Sequence, residues 1–192
     1  MSDNQRLAKL PPDSLDERQR RVYDAIAGGP RTSGPTLYRL VDDQGGLEGP
    51  FNGFLLQPAV GGALERLGAA VRFETSLSDR AREIAILIVA QHWDAGFMRY
   101  SHEALGRHAG LTDEELSALR EGRVEVFGDP HERLVARTVR ALVSDGDLDD
   151  EHYSSAEGAL GQPGVFELLA LVGYYAALAL QLRVFRIGIP DD

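Results

Sequence analysis

The sequence contains no cysteine among its 192 residues. Disulfide bonds, thiolate nucleophiles and thiolate-bound metal ions are therefore excluded. Reduction of peroxides by a thiol is excluded on the same ground, because a thiolate is the attacking group in that chemistry. Any reaction has to use carboxylate, imidazole, hydroxyl or guanidinium groups.

A targeting segment and long hydrophobic runs are also missing from the sequence pattern. The opening residues, MSDNQRLAKLPPDSL, lack the apolar stretch of a secretory signal peptide. No apolar run reaches the roughly 18 residues needed to cross a bilayer. We therefore expect a soluble, cytoplasmic protein.

Basic side chains are scarce relative to acidic ones, with 20 Lys and Arg against 30 Asp and Glu, which gives a formal net charge of -10. This charge repels the phosphates of nucleic acids and of anionic lipids. Arg18, Arg20 and Arg21 cluster locally, but acidic residues alternate with them, as is typical of a solvated helix face. We expect neither nucleic acid nor a membrane as a partner.

The alternating pattern of strands is absent, and apolar residues recur at helical spacing instead. The pattern predicts an all-α fold in one domain, residues 1–192, with an extended N-terminal arm over about residues 1–13. Ser14 and Ser78 are the expected N-caps of two helices, and Thr112 with Glu115 forms a capping box. Helices are predicted over 15–28, 58–74, 79–95, 96–109, 113–122, 130–146, 148–160 and 163–187. The last of these is apolar enough to be buried in the core or against another subunit.

Residues 31–50 form a long connection rich in Gly, Pro, Thr and Asp. Loops of this length in a compact domain are usually functional or packed over another part of the fold. We interpret the segment as a possible lid. The glycine pairs at 28–29 and 45–46 lack the spacing of a phosphate-binding loop, so a nucleotide site is not predicted.

Two acidic residues belong to the predicted central helix. Helical geometry allows Glu83 and Asp94 to line one face of it. A carboxylate among apolar side chains tends to acquire a raised pKa and can then exchange protons near neutral pH. The alternative is an ion pair of Glu83 with Arg80, Arg82 or an arginine from elsewhere.

His102 lies in the next predicted helix, with Met98 and Arg99 one turn earlier. Imidazole is the side chain best suited to proton transfer at cellular pH, and the alternative is a capped or solvated histidine. Tyr100 and Ser101 beside it either donate hydrogen bonds or pack.

A metal site is suggested by His92, His102 and His108 with Asp94 nearby. Their spacing does not place two histidines on one helical face, as a metal-binding pair requires. We expect no metal and no other cofactor.

The segment LSDRAREIAILIVAQHWDAGFMRYSHEALGRHAGLTDEEL contains a core motif over about residues 78–112. It resembles the core of the carboxymuconolactone decarboxylase family, in the alkylhydroperoxidase-D-like (AhpD-like) superfamily. The shared features are Arg82 and Glu83 at the start of an apolar helix, and His102 before the turn over residues 109–113. The flanking stretches LPPDSLDERQRRVYDAIAGGP, GPFNGFLLQPAV and FELLALVGYYAALALQL resemble the long single-domain members. The resemblance implies an all-helical AhpD-like fold, assembly into trimers or hexamers, and a pocket near the subunit interface where Glu83 and His102 meet.

The sequence departs from the family pattern between Glu83 and His102. Peroxidase members carry a Cys-x-x-Cys pair, and Ala95 and Met98 stand in those places. Decarboxylase-like members often show Tyr-Glu-Trp before the histidine, whereas this sequence reads Phe97, Met98, Arg99. Met98 therefore stands in place of the family's glutamate, and Arg99 introduces a positive charge.

The resemblance implies a cofactor-independent enzyme that performs acid/base chemistry on a small carboxylated or lactone substrate, either decarboxylation or a double-bond shift. His102 and Arg99 are predicted to protonate and stabilise the enolate-like intermediate, with Glu83 orienting or relaying the proton. The residues predicted to bind substrate are Met98, Tyr100, Asp94 and Trp93. The alternative is a non-catalytic scaffold of the same family that binds a small molecule.

Overall fold

The computed structural model describes residues 5–32 and 37–190, and over these ranges the chain forms eight α-helices and no β-strand. The helices are α1 (Glu17–Ala27), α2 (Phe51–Phe54), α3 (Pro58–Phe73), α4 (Asp79–His92), α5 (Gly96–His108), α6 (Asp113–Arg120), α7 (Pro130–Asp145) and α8 (Asp150–Val184). Short 3-10 helices, Pro12–Ser14 and Pro30–Thr32, flank α1. The all-α prediction is confirmed.

Helix α4 lies at the centre of the fold. It packs against α5, α6, α7 and α8, and every residue from Ala81 to Ala90 is buried. Its start is fixed by Ser78, whose side chain accepts a hydrogen bond from the amide of Ala81. Because the buried stretch includes Arg82 and Glu83, two charged groups are carried into the core.

Ser78 caps α4 as predicted. Thr112 and Glu115 make the predicted capping box at the start of α6. The prediction for α1 is wrong, since Asp16 and not Ser14 accepts hydrogen bonds from the first amides of the helix. The hydroxyl of Ser14 is bonded to the carbonyl of Pro11 in the preceding 3-10 turn. The prolines favour this turn, and α1 therefore begins later than the sequence suggested.

Helix α8 breaks at Gly161, where φ is +67°, and Pro163 follows in the second arm. The prediction of two helices, over 148–160 and 163–187, is therefore confirmed, since α8 consists of two helical arms on either side of this break. By length and composition alone α8 could cross a membrane, with 44% of its most apolar window buried in the fold. The expectation that no apolar stretch reaches that length is wrong. The inner side of α8 packs against α4 and α7.

The second half of the predicted lid is held by contacts with the N-terminal arm and with α8. Nζ of Lys9, in the N-terminal arm, lies 2.8 Å from Asp42 and 2.5 Å from Glu48. The amide of Gln181 in α8 donates a 2.6 Å hydrogen bond to the carbonyl of Pro50. Residues 33–36 of the predicted lid lie outside the described residues, and opening of the segment stays a prediction.

Helices α2 and α3 approach each other closely at Gly61. A Cβ atom built on Gly61 would lie 2.0 Å from the carbonyl oxygen of Phe54, a backbone atom that has no freedom to move aside. Glycine is therefore required where α3 passes behind α2.

Replacing Gly61 by alanine should lower the free energy of unfolding by about 1–3 kcal/mol, because the added methyl group overpacks the contact. Gly158→Ala is the matched control, since a Cβ at Gly158 in α8 meets no atom within 4 Å. The control should be stabilising by about 0.5–1 kcal/mol through helix propensity. Urea unfolding followed by circular dichroism measures both, and equal stabilities for the two variants would contradict the close approach.

Candidate active site

A buried hydrogen bond joins α4 to α5. Oε2 of Glu83 lies 2.7 Å from Nδ1 of His102. Glu83 is 2% exposed and His102 is 7% exposed. The two residues that the family resemblance brings together therefore do meet in the structure, inside the core.

The environment of His102 keeps its imidazole neutral. Burial lowers the pKa of His102, and the carboxylate of Glu83, which acts in the opposite direction, does not overcome the burial. The positive charges of Arg72 and Arg82 lower this pKa further. Since a carboxylate only accepts hydrogen bonds, Nδ1 carries the proton. The other ring nitrogen, Nε2, then carries no proton and can accept a hydrogen bond or a proton.

Glu83 has a second partner in α3. Nη1 of Arg72 lies 3.6 Å from Oε1 of Glu83. The other candidate arginines are engaged elsewhere, because Arg80 pairs with Glu115 and Glu132 and Arg82 pairs with Asp79. Glu83 thus makes an ion pair with an arginine from another helix and also holds the histidine.

A cavity of about 40 Å³ lies beside His102. A space of this size holds about three water molecules. Its polar wall consists of His102 and Ser101, two arginines, Arg31 and Arg72, and three tyrosines, Tyr38, Tyr174 and Tyr175. Its apolar wall includes Phe51, Phe97 and Met98. Most of the polar groups that face the cavity are therefore hydrogen-bond donors.

Burial keeps the three tyrosines of the cavity protonated. It raises the pKa of Tyr38 and Tyr175 and brings that of Tyr174 to about 12. The ring of Tyr175 packs edge-on against His102 with 5.2 Å between ring centroids. The positive charge of Arg72 lies near the phenol group of Tyr175 and opposes part of this rise in pKa. At neutral pH these hydroxyl groups are donors beside a neutral base.

Asp94 and Arg99 do not join this group. Helix α4 ends at His92, and Asp94 follows with a φ of +48°. Its side chain is 74% exposed and forms a 2.8 Å ion pair with Arg99. The prediction that Asp94 shares a helix face with Glu83 is therefore wrong, because the helix stops before it. Arg99 does not line the cavity, so this geometry does not support its predicted role in stabilising an enolate-like intermediate.

The other predicted substrate-binding residues divide into two groups. Met98 lines the cavity. Trp93 does not, and its carbonyl accepts a 2.6 Å hydrogen bond from Arg183. Tyr100 does not either, and its ring lies 6.0 Å from that of Phe97.

Sequence reasoning missed both arginines and all three tyrosines of the cavity. Arg72 reads as an ordinary residue near the end of an amphipathic helix, and Arg31 falls in a loop. One signal was available, because Tyr174 and Tyr175 are adjacent aromatic hydroxyl groups within an aliphatic stretch. Buried tyrosines usually find a hydrogen-bond partner, which marks such a pair for attention.

The histidines and acidic residues of ranges 5–32 and 37–190 form no group of three that could hold a metal ion. His92 and His108 are exposed, whereas His102 is buried. Chemistry without a metal stays a prediction.

Fold and site together define an all-helical protein with a buried carboxylate–imidazole pair beside a donor-lined cavity. The model of the carboxymuconolactone decarboxylase family matches residues 58–141, which include Arg72, Glu83 and His102. This segment, from α3 into α7, therefore matches the carboxymuconolactone decarboxylase family, and the chain contains no cysteine. The match supports a carboxymuconolactone decarboxylase-like or AhpD-like function at the level of the family. Among curated proteins, none matches the sequence significantly.

We predict that His102 titrates below the ordinary value of 6.5 in an NMR titration of the histidine ring signals. Glu83→Gln should lower this pKa further, because it removes the negative charge that favours the imidazolium. The folded-state pKa lies below the unfolded one, so the contribution of His102 to stability is complete above pH 6.5 and is lost as the pH falls towards the folded value. A rise of the pKa in Glu83→Gln would contradict this account.

Proposed function

We propose that the protein is a cofactor-independent enzyme that performs acid/base chemistry, decarboxylation or double-bond isomerisation, on a small carboxylated or lactone substrate. The observation that carries the proposal is the 2.7 Å contact of Glu83 with His102 at the wall of a cavity lined by donors. A base held neutral by burial, with donors in reach of a developing negative charge, is the arrangement that proton transfer at carbon requires.

In the isomerisation, Nε2 of His102 accepts a proton from the carbon next to a carbonyl group. The electron pair of the broken C–H bond moves onto the carbonyl oxygen, which gives an enolate. Glu83 stabilises the imidazolium that forms, through the hydrogen bond at Nδ1. The imidazolium returns its proton to a different carbon, and the double bond has shifted.

The enolate oxygen needs donors, and Arg72 and Tyr175 fill this role in place of Arg99. Both line the cavity that His102 also lines, and the charge of Arg72 acts on the phenol group of Tyr175. Decarboxylation leads to the same enolate. The C–C bond to the leaving CO2 breaks, and its electron pair moves onto the carbonyl group. The proton that completes that reaction comes from the hydroxyl group of Tyr175, and the resulting phenolate takes a proton back from water.

A ligand-binding scaffold without turnover is the second candidate function. It is favoured by the small volume of the cavity, about 40 Å³, which Met98 and Phe97 help to fill. Binding of a small acid with no chemical change would support it.

Turnover is tested with carboxylated lactones and unsaturated acids, read as release of CO2 or as a change in ultraviolet absorbance. His102→Ala should abolish turnover while the helical circular dichroism is retained. Arg72→Gln should lower kcat by about 10²–10³-fold, the usual effect of losing an oxyanion donor. Arg99→Gln is the matched control and should leave kcat unchanged. Full activity in His102→Ala, or loss confined to Arg99→Gln, would refute the assignment.

We also propose that the protein is a soluble, cytoplasmic homo-oligomer, a trimer or hexamer, that associates through the outer face of α8. Phe166, Leu169, Leu180 and Val184 lie on this helix with 71%, 46%, 45% and 55% exposure. Exposed apolar faces of this extent mark interaction sites. A second copy is the occupant we favour, because the net charge of -10 opposes an anionic lipid surface.

The mass in solution, measured by light scattering during size-exclusion chromatography, tests this association. The wild type should elute as an oligomer, and Phe166→Asp with Leu169→Asp should shift it towards the monomer. Ser155→Glu, at an exposed position of the same helix, is the control and should leave the mass unchanged. A monomeric wild type, or an oligomer insensitive to the double substitution, would contradict the proposal.

A further inference from the structure

The cavity contains a second cationic group, distinct from the one beside His102. We infer that Arg31, together with the hydroxyl group of Tyr174, is a binding site for a carboxylate that the substrate retains through the reaction. Arg31 is then a specificity-determining residue. The inference rests on the proposed function in one respect, that the cavity beside His102 is the substrate site.

The side chain of Arg31 is held in place by α3. Its Nη1 lies 2.7 Å from Oε1 of Glu65, and the two side chains are 5% and 9% exposed. Arg31 lines the cavity, whereas Glu65 does not. A buried guanidinium is tolerated because it is paired, and the pairing leaves its other N–H groups for a ligand.

The Arg31 site repeats the arrangement found beside His102. Arg72 pairs with Glu83 and lies near Tyr175, while Arg31 pairs with Glu65 and lies near Tyr174. Glu65 and Arg72 lie two turns apart on α3, about 10 Å along its axis. The cavity thus has one arginine–tyrosine pair for the reacting end of a ligand and another pair for a second polar group.

The chemistry of this second pair fits a carboxylate. Guanidinium is planar and presents parallel N–H groups that match the two oxygens of a carboxylate. Cζ of Arg31 lies 5.4 Å from the ring centroid of Phe51, which fixes the plane of the guanidinium on one side. The hydroxyl group of Tyr174, kept protonated by burial, adds a neutral donor.

Gly68 in α3 makes room for the pair. A Cβ atom on Gly68 would lie 2.2 Å from the hydroxyl oxygen of Tyr174 and 2.9 Å from Nη2 of Arg31. The absence of a side chain at this position therefore allows the arginine and the tyrosine to approach the same point. Arg31 and Tyr174 both lie outside the segment 58–141 that matches the family, so this site is contributed by the flanks of the chain.

Binding of crotonate, compared with the neutral and equally shaped crotonamide, tests the inference by isothermal titration calorimetry at pH 7. The wild type should bind crotonate more tightly than crotonamide. Arg31→Gln should weaken crotonate about ten- to a hundredfold, the usual effect of losing a charge-assisted hydrogen bond, and should leave crotonamide unchanged. Arg21→Gln, at a side chain that is 63% exposed, is the matched control and should change neither affinity.

Gly68→Ala provides a second test that keeps every charge. The added methyl group displaces the Tyr174 hydroxyl and the guanidinium, so crotonate affinity should fall while the helical circular dichroism is retained. His102→Ala should still prefer crotonate, which separates this inference from the proposed function. The inference is overturned if the wild type shows no preference for crotonate, or if Arg31→Gln and Gly68→Ala both keep the preference. Loss of turnover in His102→Ala bears on the proposed function alone.

Discussion

The carboxylate of Glu83, buried in the central helix, is the constraint around which this fold is arranged. A carboxylate without partners in a protein interior costs several kcal/mol, and this cost is offset only by well-placed hydrogen bonds and opposite charge. His102 from α5 and Arg72 from α3 supply both. Three helices are thereby fixed relative to one another around one side chain, and the cavity opens at the place where they meet.

The same burial sets the protonation of groups with opposite roles. Removal from water disfavours a charged imidazole and equally disfavours a charged phenolate, so one physical cause lowers the pKa of His102 and raises that of Tyr175. A neutral base and a protonated donor therefore stand 5.2 Å apart, ring centroid to ring centroid, at the same pH. In a site of low polarity, donors oriented in advance stabilise a developing negative charge without having to rearrange.

Local signals in the sequence predicted the local parts of the structure. Ser78 and Thr112 begin their helices as expected, because capping depends on residues only a few positions away. The meeting of Glu83 and His102 was available through the family resemblance. The meeting of Arg31 with Tyr174 was not predictable, because nothing local indicates that a short 3-10 helix near the start of the chain and a helix near its end approach the same point. The error at Asp94 has the same origin, since helical periodicity does not reveal where tertiary packing ends a helix.

Met98 allows the cavity to hold a molecule larger than its volume in this structure would suggest. The side chain is 3% exposed and lines the wall, in the place where the family resemblance puts the second cysteine of the Cys-x-x-Cys pair of peroxidase members. Methionine is unbranched and has three rotatable bonds, so it refits irregular space at little cost. A bound molecule larger than three waters can therefore be accommodated by rotation of one thioether, with the surrounding helices left in register. At this point of the wall the chain therefore has adaptable packing and no group for thiol chemistry.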